Sequence, residues 1–234
     1  MHPAAPSGAR SDPRTTRRTA VRVALLLALP CALLVALVAA RWTPLMDLDT
    51  DWARATHRQA LADPGLTHAN RVLTDRVWDP WTMRALAVLA ALWWGVRGAW
   101  RPAVWLLVTV VCGALVQQGV KAAVARPRPV WRHPVDTAHY AAFPSGHAMT
   151  ATVVCGALLW LLYMRHGRGP LWWTASGLAV VSVAGVGLTR VWLGVHWPSD
   201  VLGGWLLGAL TVAVAVALAP GAADHGRERP PGRP

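Results

Sequence analysis

Six stretches of this chain, residues 23–40, 81–96, 102–120, 147–164, 171–188 and 201–219, are almost wholly apolar. A helix that crosses the hydrocarbon of a bilayer needs about 20 mostly apolar residues, and these runs approach that length. The expected fold class is therefore all-α: a polytopic membrane helical bundle with about six transmembrane helices. Charged residues make up 15% of the chain, against about 25% in an ordinary soluble domain. The second run is short and carries Arg84 near its start, where a long side chain can snorkel to the interface. The first has a competing reading as a secretory leader, because Arg17, Arg18 and Arg22 precede it and Val38-Ala39-Ala40 resembles a cleavage site. Its apolar core exceeds the roughly 7–15 residues usual for a leader, so an uncleaved helix is expected.

The formal net charge of +12 does not point to nucleic acid. The basic residues form neither a long run nor an amphipathic stripe; they punctuate the apolar runs, as in membrane loops and anion sites. The lipid bilayer is the expected partner, and nucleic acid is not. If the runs alternate across the membrane, twelve Arg fall on the side of both termini and ten Lys or Arg on the other. Several of the ten are needed for chemistry, so both termini are placed in the cytoplasm. The ends of the third and fifth runs and the starts of the fourth and sixth then emerge together on the outer face. Many of the 15 tryptophans stand at run ends, at headgroup level. Cys31, Cys112 and Cys155 are odd in number and lie inside apolar runs, which argues against a disulfide framework.

The expected organisation is a disordered basic tail at 1–20, a membrane domain at 21–219 and a disordered tail at 220–234, both tails being rich in Pro, Gly and Arg. Residues 41–80 are amphiphilic and read as short helices lying on the membrane surface, with Asp47, Asp49 and Asp51 as solvated charge. Gly204 and Gly208 form a small-xxx-small pair suited to helix packing.

The outer ends carry the chemistry. Lys121 is the one lysine beside 22 arginines, and Arg128 follows it. Then come Pro144-Ser145-Gly146-His147 and the stretch from Arg190 through His196 to Asp200. Arg128 and Arg190 offer planar forks matched to phosphate oxygens, and Lys121 a point charge. Ser145 and Gly146 open an apolar helix whose N-terminal N–H groups favour an oxyanion. Asp200, four residues after His196, can fix the tautomer of that ring and free its other nitrogen to attack. His196 is then the candidate nucleophile, and His147 the acid that protonates a leaving oxygen and later activates water. Fixed cations already neutralise the charge of a phosphoryl group, so neither a metal nor another cofactor is required. Each piece has an ordinary explanation, as interfacial anchor, helix start or structural His. Their occurrence together, in order and on one face, does not.

The three stretches resemble the signature of the type 2 phosphatidic acid phosphatase superfamily: K-x6-R-P, P-S-G-H and S-R-x5-H-x3-D. Lys121, Arg128 and Pro129 fit the first, and Pro144 to His147 the second. Arg190, His196 and Asp200 fit the third, with Thr189 in place of the leading Ser. The resemblance covers residues 121–200. It implies His196 as nucleophile and His147 as acid, metal-independent hydrolysis and sensitivity to vanadate. It also implies a lipid phosphate substrate: a polyprenyl diphosphate, phosphatidic acid or phosphatidylglycerol phosphate. The same site could act as a lipid-to-lipid phosphotransferase. A vanadate-dependent haloperoxidase shares the pocket but resembles soluble proteins, and a mere anion binder would not need both histidines and Asp200. His133, Asp136 and His139 fit no strong metal pattern and read as a substrate-facing loop. Gln117 and Gln118 line either the site or a helix contact.

Overall fold

The computed structural model describes residues 13–219. These residues form eight α-helices: α1 Pro13–Ala39, α2 Thr43–Ala62, α3 Pro64–Val72, α4 Pro80–Val96, α5 Trp100–Val124, α6 Gly146–His166, α7 Pro170–Trp192 and α8 Pro198–Leu218. A π-helical turn, Leu73–Val77, follows α3. Proline at the first turn starts α2, α3, α4, α7 and α8, where its fixed φ suits the helix and its missing N–H costs nothing.

Five of the helices, α1, α5, α6, α7 and α8, are long and apolar enough to cross a membrane. The sixth expected span, α4, has 17 residues, about 26 Å at 1.5 Å per residue, and needs its flanks to reach both interfaces. Arg84 lies over the Trp81 ring at 5.2 Å and Arg97 over Trp93 at 3.9 Å, one pair near each end of that helix. The chain is thus a multi-pass, all-helical membrane protein. The expected tail at 1–20 is shortened, because α1 already begins at Pro13. The rest of that tail, and all of 220–234, lie outside the described residues.

Helices α6 and α8 form the centre of the bundle. A Cβ on Gly204 would stand 2.8 Å from the Ser145 carbonyl oxygen, and one on Gly208 would stand 2.8 Å from Cβ of Thr152. The two glycines therefore do set a close helix packing. The outer faces of α1 and α7 turn to lipid: Leu25, Leu26 and Leu29 on α1 and Leu178, Val180 and Val181 on α7 are all exposed. Of the three free cysteines, Cys31 is buried, Cys155 half-buried and Cys112 exposed on the outer face of α5.

Residues 43–77 are helical, but they are not merely surface helices. One face of α2 buries Asp49, Ala53, His57 and Ala60 against the bundle. That overturns the reading of Asp49 as solvated charge: it is 1% exposed. Its neighbours Asp47 and Asp51 are exposed as expected. In an α-helix, positions two apart point to different sides, so the middle carboxylate turns inward while the outer two stay in water.

Candidate active site

The site grows from the start of α8. Asp200 sits in its first turn, where the helix dipole favours a carboxylate, and its Oδ2 accepts the Trp197 N–H at 2.9 Å. The same oxygen lies 3.3 Å from Nδ1 of His196. His196 arrives there through a turn at Gly194, whose φ of +69° belongs to the left-handed region. A Cβ at Gly194 would also meet Nε1 of Trp131 at 2.6 Å. That indole N–H donates to the Gly194 carbonyl at 2.8 Å, and the ring stacks on His57 at 4.1 Å.

Arg128 fixes the protonation of His196. Its Nη1 lies 3.1 Å from Nε2 of the imidazole, and a guanidinium can only donate. Nε2 must therefore accept, and the proton resides on Nδ1, where it is donated to Asp200. This tautomer follows from the hydrogen-bond network. Burial, and then the charges of Arg128, Arg190 and Lys121, hold the imidazole well below its ordinary value. It is neutral at physiological pH, with its lone pair aimed at the cationic cluster. Arg128 itself is pushed down to about 10 by burial and then by Arg190, and stays protonated.

The other expected residues converge on the same place. Arg128 also donates to the backbone carbonyls of Tyr140 (2.5 Å) and Val195 (2.6 Å). Lys121, in the last turn of α5, donates to the Ala141 carbonyl. Arg190, in the last turn of α7, is buried; its Nη1 stands 3.4 Å from the Thr74 hydroxyl, 3.9 Å from Asp75 and 4.0 Å from Asp136. Its Nε is buried with no hydrogen-bond partner, as is the Ser145 hydroxyl. Buried polar groups without partners are costly, and both would be satisfied by an anionic oxygen. His147 occupies the first turn of α6, half-buried, where the charges of Arg190, His196, Arg128 and Lys121 all reach it.

Two details differ from the sequence reading. The Ser145 N–H donates to the Asp200 backbone carbonyl at 2.9 Å, so it ties the two helix starts together and is not an oxyanion donor. The free N–H groups of that first turn begin at Gly146. The absent side chain of Gly146 has a packing reason as well, since a Cβ there would stand 2.9 Å from Nε2 of the buried Gln117. Gln118 is exposed. In the connector, His133 and His139 are exposed while Asp136 faces Arg190. Among the described residues no three His, Cys, Asp or Glu side chains are grouped as a metal would need.

Sequence reasoning missed Arg126, Ser199 and Asp49. Arg126 donates to Asp200 Oδ1, to Ser199 Oγ and to Asp49 Oδ2, each at 2.7 Å, and all four residues are buried. The available signal was the spacing Asp49, Ala53, His57, Ala60, a helical stripe whose polar members hide its burial.

Curated relatives match about half of the chain. Phosphatidylglycerophosphatase B of Bacillus subtilis (strain 168) is 34% identical over 112 residues, 45% of this chain and 53% of that protein. Decaprenylphosphoryl-5-phosphoribose phosphatase of Mycobacterium tuberculosis (strain ATCC 25618 / H37Rv) is 40% identical over 115 residues, 47% of this chain and 56% of that protein. The chain thus spans about half the length of these two relatives. The fold is similar to the crystal structure of a transmembrane PAP2 type phosphatidylglycerolphosphate phosphatase from Bacillus subtilis. The TM-score is 0.72 at 25% identity, covering 82% of this chain and 93% of that one. Residues 102–223 match the profile of the PAP2 superfamily, which is more than half of the 234 residues; the chain belongs to that superfamily.

Proposed function

We propose that this protein is an integral membrane phosphatase that hydrolyses a lipid phosphate or diphosphate through a phosphohistidine on His196, without a metal. The observation that carries this reading is the pair of hydrogen bonds on one imidazole: Nδ1 to Asp200 at 3.3 Å and Nε2 to Arg128 at 3.1 Å. A neutral ring with its proton on the far nitrogen is the state a nucleophile needs. As phosphate enters, Arg128 exchanges Nε2 for a phosphate oxygen, and Arg190 Nε and Lys121 take others. Nε2 then forms a bond to phosphorus while the bond from phosphorus to the lipid oxygen breaks. His147, which takes up a proton from solvent once the bound phosphate's negative charge offsets the surrounding cations, gives that proton to the oxygen. In the second half His147 takes a proton from water, the water oxygen bonds to phosphorus, and the P–N bond breaks. Asp200 balances the positive charge that the His196 ring carries in between.

Substrate candidates are phosphatidylglycerol phosphate, as for the Bacillus subtilis relative, phosphatidic acid, for which the superfamily is named, and polyprenyl diphosphates, as for an undecaprenyl-diphosphatase of Sulfolobus acidocaldarius that is 41% identical over 29% of this chain and 28% of that protein. The arginine distribution supports an outer-face site, with both termini inside. A single membrane phosphatase unit, expected over 21–219 and extended back to Pro13 by α1, is part of this proposal.

Phosphate release by the purified protein in detergent with EDTA, across those lipids, tests the reading beside His196→Ala. Release that survives the chelator and falls by about 10³-fold or more in the variant is expected. Release abolished by EDTA would overturn metal independence. No release from any lipid would overturn hydrolysis and direct the assay to acceptor lipids.

A further inference from the structure

Asp49 lies outside all three sequence motifs, yet it is joined to the catalytic pair by charge. Its Oδ1 accepts the Ser199 N–H at 2.8 Å, and its Oδ2 accepts the Ser199 hydroxyl at 2.5 Å and Arg126 Nη2 at 2.7 Å. The other nitrogen of the Arg126 fork reaches Asp200 Oδ1 at 2.7 Å. One guanidinium therefore bridges two buried carboxylates, one from α2 and one from α8. We propose that Asp49 is a positioning residue: by clamping Arg126 and the start of α8, it keeps Asp200 charged and its Oδ2 turned to His196.

The argument is one of geometry and charge. A buried carboxylate persists as an anion only with a partner. Asp200 has two oxygens: Oδ1 is taken by Arg126, which leaves Oδ2 for the Trp197 N–H and the His196 Nδ1–H. A fork held from one side only could rotate, and the Trp197 N–H would then be left to orient the Asp200 carboxylate with no charged partner on Oδ1. Asp49 and Ser199 hold the fork from the other side. Asp49, Arg126 and Asp200 together carry one negative charge. His196 gains one positive charge when its Nε2 binds phosphorus, so the cluster meets that charge without rearranging. Other charged groups around the imidazole are Arg128 on the connector, Lys121 on α5, His147 on α6 and Arg190 on α7, all cationic or neutral. The cluster tied to Asp49 is therefore the source of negative charge at the ring.

This inference rests on His196 being the nucleophile of the proposed function, and two readouts separate the two claims. The first is kinetic, on Asp49→Asn, which keeps the shape and loses the charge, and on Arg126→Lys, which keeps the charge and loses the fork. Each is expected to lower kcat by about tenfold or more, with KM within about twofold. The second readout is the Nδ1–H proton resonance of His196, assigned by its absence in His196→Gln, and it does not require turnover. It should lie far downfield in the wild type and move upfield in both variants. Thermal unfolding in detergent identifies a variant that fails to fold, and the other variant then decides. A wild-type-like resonance in a folded variant would overturn the proposal, whether kcat is unchanged or falls together with a rising KM. A wild type that releases no phosphate while its resonance responds to Asp49→Asn would overturn the phosphatase reading and leave the clamp standing.

Discussion

The seam between α6 and α8 and the roof formed by α2 and α3 with the connector 125–144 hold the same site by opposite means. In the seam, backbone meets backbone: Gly204 admits the Ser145 carbonyl, and the Ser145 N–H reaches the Asp200 carbonyl. The seam leaves no room for variation of side chains. The roof is held by directed polar contacts: Asp49 to Arg126, Arg71 to the Val135 carbonyl, and Trp131 to the Gly194 carbonyl. The difference teaches that the seam sets where the reacting groups stand, whereas the roof sets their charge and orientation.

Breaking the seam has the largest expected effect. Gly204→Val places a side chain against backbone atoms that cannot move independently. A cost of about 1–3 kcal/mol is expected, read as a lower unfolding temperature in detergent. Phosphate release should fall by about 10²-fold, because a shift of about 1 Å at a reacting group is enough. If unfolding and activity both match the wild type, the seam is not the positioning element. A smaller effect follows in the roof. Trp131→Phe keeps a ring over His57 and loses the N–H to Gly194; about 1 kcal/mol of stability is expected to go, with activity reduced only a few-fold. A loss as large as that of Gly204→Val would erase the distinction drawn here.

The smallest expected effect is a pH dependence. His196 is held well below 6.5 by burial and its cationic neighbours, and His57 is lowered mainly by burial. The unfolded chain therefore binds protons near pH 6.5 that the native state refuses. Stability is expected to be full above that value and to decline as pH falls through it. The unfolding temperature should drop between pH 7.5 and 5.5, and the drop should be shallower in His196→Gln. An identical slope in the variant would remove His196 from the account.

The glycine spacing of the seam was legible in the sequence and the link from Asp49 to Arg126 in the roof was not, for a physical reason. Apolar runs, glycine spacing and the fixed intervals among Lys121, Arg128, His147, Arg190, His196 and Asp200 are local patterns, and helix geometry converts them directly into faces and ends. Asp49 and Arg126 are 77 positions apart, and nothing local about either announces the other. A carboxylate in an amphiphilic stretch is assigned to water by default; only the small residues at its helical spacing, Ala53 and Ala60, hint that it turns inward. The shortness of α4 was visible in its run, and so was its Arg84. The bond from the Ser145 N–H to the Asp200 carbonyl could not be read, because it depends on how closely two helices approach.

The bonds from Lys121 and Arg128 to the carbonyls of Ala141, Tyr140 and Val195 carry a further consequence. Before substrate arrives, the cations already have acceptors, supplied by the chain itself. Recognition of a headgroup is then an exchange reaction, in which only a ligand whose oxygens outbid peptide carbonyls is retained. Carbonyls are neutral, so a phosphate wins that contest by its charge, and an uncharged lipid of the same shape does not. Under the proposed function, the connector and the Val195 carbonyl act as internal competitors that screen the membrane's abundant neutral lipids before any bond is made or broken.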